Sequence, residues 1–156
     1  MDLLAIQLRA AQFTAHAAHN LVKGQTFQQD HSFFGEAYDA YTDAFDSLTE
    51  RIIGQGDEPA DILDWNLTAA KEARDACNDC SSPDAAYKAL IAFEDAIQEK
   101  VEEYIDDQPS SGVANLIQGF ADDSQTGQYK MQQRLGGKSE RKPKSKVLGP
   151  KALEID

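Results

Sequence analysis

The sequence predicts an all-α protein, a bundle of four long helices with a short helix in the middle connection. Three observations carry that expectation. Apolar residues recur at alternating intervals of four and three along separate stretches, the repeat of a single helix face. No segment alternates apolar and polar residues with period two, so no strand is expected. Short breaks of Gly, Ser and Pro separate the stretches and favour antiparallel neighbours.

The first helix is expected over residues 2–23, where Leu4, Leu8, Ala11, Ala15, Ala18 and Val22 form the stripe. Its many alanines permit close helix approach, and His16 and His19 flank the stripe. Lys23-Gly24-Gln25 is a tight connection, which makes the first two helices antiparallel. The second helix starts at Thr26, with Thr26 and Gln29 reading as a capping box, and runs to about Ile53. Phe34, Tyr38, Tyr41, Phe45, Leu48 and Ile52 form its apolar stripe, and His31 precedes it. Beside that stripe run Glu36, Asp39, Asp43, Asp46 and Glu50, spaced 3, 4, 3, 4. Like charges on one helix face repel, so this face calls for cations or water. Gly54 and Gly56 mark its end.

A short helix follows over about 59–78, with Pro59 at its start and Ile62, Leu63, Trp65 and Leu67 along it. Ser82 and Pro83 read as a cap and first helical residue. The third long helix covers about 84–106, burying Ala86, Leu90, Phe93, Ile97, Val101 and Tyr104. The fourth covers about 111–135, with Val113, Leu116, Phe120, Met131 and Leu135 inward. Ser124 and Gly127 occupy stripe positions there, which predicts a bend or an unusual contact.

A chain of 156 residues fits one domain, here residues 1–136, with a tail over 137–156 that lacks periodicity and is expected to be mobile. The formal charge is −12 and unevenly spread. Residues 138–156 hold six basic and three acidic residues, leaving nine basic against 24 acidic in the body. An acidic body attracts metal cations, and a basic tail suits an anionic partner. No apolar run approaches a membrane span, and Met1 leads almost directly into a helix, so a cytoplasmic protein is expected. Cys77 and Cys80 form one lone C-x-x-C. With no second pair for zinc and no strand–helix context for a thioredoxin motif, free thiols are expected.

Glu-x-x-His, the motif of di-iron sites inside a single bundle, is missing. Another set of residues carries a resemblance. His19-Asn20-Leu21-Val22-Lys23-Gly24 is followed by Phe27, by His31 twelve residues after the first histidine, by Asp46, and by Glu50-Arg51-Ile52. With Ala114-Asn115-Leu116-Ile117 opening the last helix, residues 3–136 resemble the Dps family, the DNA-binding proteins from starved cells. These are ferritin-like mini-shells. The resemblance implies a ferritin-like bundle and ferroxidase ligands at His19, His31, Asp46 and Glu50. It further implies iron (Fe2+/Fe3+) oxidised by hydrogen peroxide or dioxygen, and mineral stored in a hollow dodecamer of two-fold dimers. Carboxylate and imidazole with open positions suit such chemistry. Two positions depart from the family pattern. Gly35 stands where an aspartate is usual, with Glu36 beside it as a possible replacement metal ligand, and Asn20 stands where a tryptophan is usual.

Geometry adds an expectation of its own. Residues 31 and 46 on one helix lie about 22 Å apart at 1.5 Å per residue. The antiparallel turn at Gly24 puts His19 beside about residue 30. The histidines and the acids therefore lie at opposite ends of one chain, and a two-fold axis near Tyr38 would bring one chain's histidines onto its partner's acids. His16 is a candidate supporting residue, and Asp122 and Asp123 are candidates for a cation pore. Weak DNA binding through residues 137–156 is a further expectation. The competing reading is a DNA-compacting or purely structural shell with a vestigial site.

Overall fold

A computed structural model describes residues 1–56, 61–107 and 109–137. Its elements are α1 (Asp2–Leu21), α2 (Phe27–Gly54), α3 (Ile62–Ala76), α4 (Pro83–Asp106) and α5 (Ser111–Arg134), with no strand among the described residues. The expected tail over 138–156 and the expected role of Pro59 lie outside those residues.

The four long helices close into a ring: α1 packs on α2 and α4, α5 on α4 and α2. The short α3 lies outside the ring against α1. Sandwiched in this way, α1 is buried on more than its expected stripe. Leu4, Leu8, Ala11, Ala15 and Ala18 point inward as the spacing requires, and Ala5, Ala10, Gln12 and Thr14 are buried as well. The alanines carry no bulk beyond Cβ, which lets three helices crowd one. On α2 the apolar stripe holds, with Phe34, Tyr41, Phe45, Leu48 and Ile52 buried and Tyr38 half-buried. On α5 it passes through Ile117, fully buried, rather than through Leu116, which is only half-buried.

The helix ends follow local chemistry. Gly24 takes φ +119°, a region that L side chains avoid, and turns the chain from α1 into α2. The capping box at α2 does not form. Thr26 is the N-cap, but its hydroxyl donates to the Asp30 carboxylate (2.6 Å) and caps no backbone N–H. A buried carboxylate one turn on is the stronger acceptor. At α3 the Asp61 carboxylate accepts from the Leu63 backbone N–H (2.8 Å). At α4 the Ser82 hydroxyl accepts from Ala85 N–H, with Pro83 opening the helix, as the sequence indicates. Trp65 anchors α3, buried and edge-on to Phe45, while Leu63 and Leu67 face outward.

The expectation of free thiols is corrected. Cys77 and Cys80 are joined as a disulfide, their Cα atoms 5.7 Å apart. Cys77 caps α3 and the chain turns directly after it, which brings Cys80 back within bonding reach.

Candidate metal centre

The α1–α2 turn brings His19 and His31 together as the antiparallel register requires. Their rings stack, 3.8 Å between centroids and 21° between planes. Each ring is held by the backbone of the other residue. His19 Nδ1 lies 2.9 Å from the His31 carbonyl oxygen, and His31 Nδ1 lies 2.6 Å from the His19 carbonyl oxygen. A carbonyl oxygen can only accept, so Nδ1 carries the proton in both rings. In a neutral imidazole the lone pair is then on Nε2, the atom left to bind a metal. Phe27 also stacks on His31 (5.2 Å).

Both positions that depart from the Dps-like pattern make specific contacts. Gly35 lies under the His19 ring: a Cβ at position 35 would sit 3.0 Å from His19 Nδ1 and 3.1 Å from Cε1. An aspartate there would have to displace this imidazole. Asn20 donates from its side chain to the His16 carbonyl oxygen one turn back along α1 (2.8 Å). His16 itself stacks on Tyr38 at 4.5 Å. Glu36 is exposed, with the Ser32 hydroxyl 3.5 Å away, and its position lies about 100° around the helix from Gly35.

Asp46 and Glu50 are exposed near the far end of the same unbroken helix. Asp39 and Asp43 are exposed as well, as are Asp122 and Asp123 on α5. Beside Asp46 lies a cation that sequence reasoning missed. The Arg9 guanidinium sits 3.6 Å over the Phe45 ring, and its Nε is buried without a hydrogen-bond partner. Burial lowers the Arg9 pKa, and attraction to Asp46 partly offsets the effect. Glu50 borders a surface recess with Ser47, Arg51 and Gln55. Among the described residues no three His, Cys, Asp or Glu side chains of one chain gather closely enough to hold a metal ion. The paired imidazoles and the exposed carboxylates Asp46 and Glu50 thus lie toward opposite ends of α2 in one chain.

Two polar clusters brace the helices that carry these residues. At the histidine end Asp30 is completely buried and accepts from Thr26, from Tyr87 (2.9 Å) and from the Arg134 guanidinium (3.0 Å). Burial alone would raise its pKa, but the bonds to Arg134, Thr26 and Tyr87 outweigh burial and lower it. This cluster ties the end of α5 to the start of α2, one residue before His31.

In the middle of the bundle the Tyr41 hydroxyl donates to the buried Glu94 carboxylate. Ser124 donates to the Glu94 backbone carbonyl (3.1 Å), and a Cβ on Gly127 would lie 3.3 Å from Glu94 Oε1. This is the unusual contact expected where Ser124 and Gly127 interrupt the stripe: two small residues on α5 make room for a carboxyl group on α4. Burial pushes the Glu94 pKa up to about 7, helped by Asp123 and Asp95 and opposed by the bonds from Ser124 and Tyr41. Glu94 was legible in principle, because it stands at a buried interval among Leu90, Ile97 and Val101.

The model of the ferritin-like domain family matches residues 2–138. No curated protein and no solved structure matches the chain. No helix among the described residues is long and apolar enough to cross a membrane.

Proposed function

Because the chain belongs to the ferritin-like domain family, we propose that it is an iron-oxidising, iron-storing shell protein of the Dps type, with each metal centre shared between two subunits. Iron storage or ferroxidase chemistry is the general reading that family membership supports. The finer reading rests on one observation, the reciprocal clamp of His19 and His31, which leaves both Nε2 atoms free. Metal-binding imidazoles are commonly oriented through the other ring nitrogen in this way. A core histidine with no ligand to bind would have no need of a second fixed imidazole stacked on it.

Fe(II) is the substrate. His19 and His31 of one chain and Asp46 and Glu50 of its two-fold partner would bind it, with Glu36 as a supplementary carboxylate. Imidazoles and carboxylates together hold Fe(II) while leaving positions open for an oxidant. Two Fe(II) ions each give one electron to hydrogen peroxide, which takes up two protons and leaves as two waters. The exposed acids Asp39 and Asp43 concentrate cations near the centre. Consuming iron and peroxide together protects DNA from the radicals they generate. DNA contact belongs to the basic residues of 138–156, because the acidic body repels phosphates.

The test is anaerobic titration calorimetry with Fe(II), followed by peroxide addition. The wild type binds Fe(II) and oxidises it, faster with peroxide than with dioxygen. If His19→Ala/His31→Ala binds as much Fe(II) as the wild type, the centre is not at these histidines.

A further inference from the structure

Between α1 and α3, away from the paired histidines, lies an open cleft of about 310 Å³. Phe13, Ala17, Ala70 and Ala73 form its apolar walls. Cys77 and Cys80 lie along it, and Arg74 is the charged residue among the described residues that line it. Thr14 also lines the cleft; its side chain is 1% exposed and its Oγ1 is buried with no hydrogen-bond partner.

The disulfide itself is a poor staple. It joins residues three apart, and a loop that short adds little to the order of the unfolded chain compared with a long-range bridge. A bond of small structural yield that borders an accessible cleft fits redox exchange better than bracing.

We propose that Cys77 and Cys80 are a reversible thiol–disulfide couple, reduced by a small carboxylate-bearing thiol that enters this cleft. Arg74 pairs with the carboxylate of the incoming thiol, and the apolar walls receive its carbon chain. The incoming thiolate attacks Sγ of one cysteine. The Cys77–Cys80 bond breaks, the released sulfur takes up a proton, and a mixed disulfide remains on the other cysteine. A second thiolate attacks that mixed disulfide, the small-molecule disulfide departs, and the last cysteine sulfur is protonated. Two electrons and two protons pass to the protein and two thiol molecules are oxidised. The proposal is independent of the iron reading, since no proposed iron ligand lines the cleft.

The full chain is equilibrated in buffers of stepped reduced-to-oxidised glutathione, quenched with acid and alkylated, and its free thiols are counted by mass. The count moves from zero to two across the series while the far-ultraviolet helical signal stays unchanged. Cys77→Ser or Cys80→Ser accumulates a mixed disulfide with glutathione. Arg74→Ala slows reduction by glutathione severalfold and reduction by uncharged mercaptoethanol much less. The couple is refuted if the disulfide resists every buffer until the protein is denatured, if reduction melts the helices, or if both thiols stay free in the most oxidising buffer. Equal slowing with both reductants refutes the carboxylate recognition.

Discussion

Gly35 is the surface on which the His19 imidazole rests, with 3.0 Å between a Cβ built at position 35 and His19 Nδ1. The missing side chain at 35 and the orientation of His19 are therefore one feature. Gly35→Ala separates folding from binding. Alanine is the better helix former by about 1 kcal/mol, so stability to urea holds or rises slightly. The His19 ring must give by a few tenths of an ångström, which disturbs its hold on the His31 carbonyl, and Fe(II) affinity falls by up to about tenfold, the usual scale for a disturbed supporting contact around a metal ligand. Unchanged affinity would detach the glycine from the site.

The split centre predicts complementation. His19→Ala/His31→Ala and Asp46→Ala/Glu50→Ala chains are each inactive alone. Co-assembled at random, half of the dimers are mixed, and each mixed dimer regains one of its two sites. Iron oxidation returns to about a quarter of the wild-type rate per chain. A mixture verified as co-assembled yet inactive would rule out sharing between subunits.

Glu94 gives stability a specific pH dependence. Its folded pKa of about 7 lies above the ordinary carboxylate value of 4.5. Folding therefore favours the protonated form. Its contribution is fully present below about pH 4.5 and is lost as pH rises through 7, a change on the order of 3 kcal/mol. Glu94→Gln keeps an acceptor for Tyr41 but has nothing to ionise. The stability of the variant relative to wild type rises between pH 4.5 and 7 and levels off above that, as read from urea midpoints at each pH. A gap that does not change with pH would place the Glu94 pKa in the normal range.

Arg134→Ala removes the guanidinium from a carboxylate with no exposed surface. The expected cost is about 3 kcal/mol, at the lower end for a broken buried pair because Arg134 is itself about one third exposed. Asp30 then loses its strongest partner and its carboxyl titrates higher than in wild type, so the stability gap between variant and wild type narrows on acidification, as wild type loses what the ionised pair contributed. Thermal melts from pH 7 down to 3 check both effects.

Deleting residues 138–156 removes six basic and three acidic residues. Any gel shift of duplex DNA, and its steep fall with salt, disappears with them, while iron oxidation stays at the wild-type rate. A truncated protein that still shifts DNA would place the contact on the body.

Much of the architecture was readable because helix periodicity is a local property. The stripes on α1, α2 and α4, and the Ser82–Pro83 start, needed only spacing and capping chemistry. The approach of His19 to His31 was readable for the same reason, since a short turn at Gly24 makes the two helices antiparallel. What the sequence concealed depends on partners distant in the chain. Thr26 has the spacing of a capping box, but its hydroxyl answers to Asp30, whose burial is fixed by Arg134 and Tyr87 from α5 and α4. Arg9 over Phe45 next to Asp46 has no sequence signature. The cysteines were misjudged because C-x-x-C spacing alone does not say whether the turn between them closes.

The helix α2 runs unbroken from Phe27 to Gly54. In the proposed dimer, this rod bears imidazoles near one end and carboxylates near the other, so the two centres cannot be adjusted one at a time. A slide of either subunit along the other takes histidines away from acids at both centres together, by the same amount. A ligand that grips one centre thereby fixes the alignment of the second, and the pair would fill as a cooperative unit even though the two metals never meet.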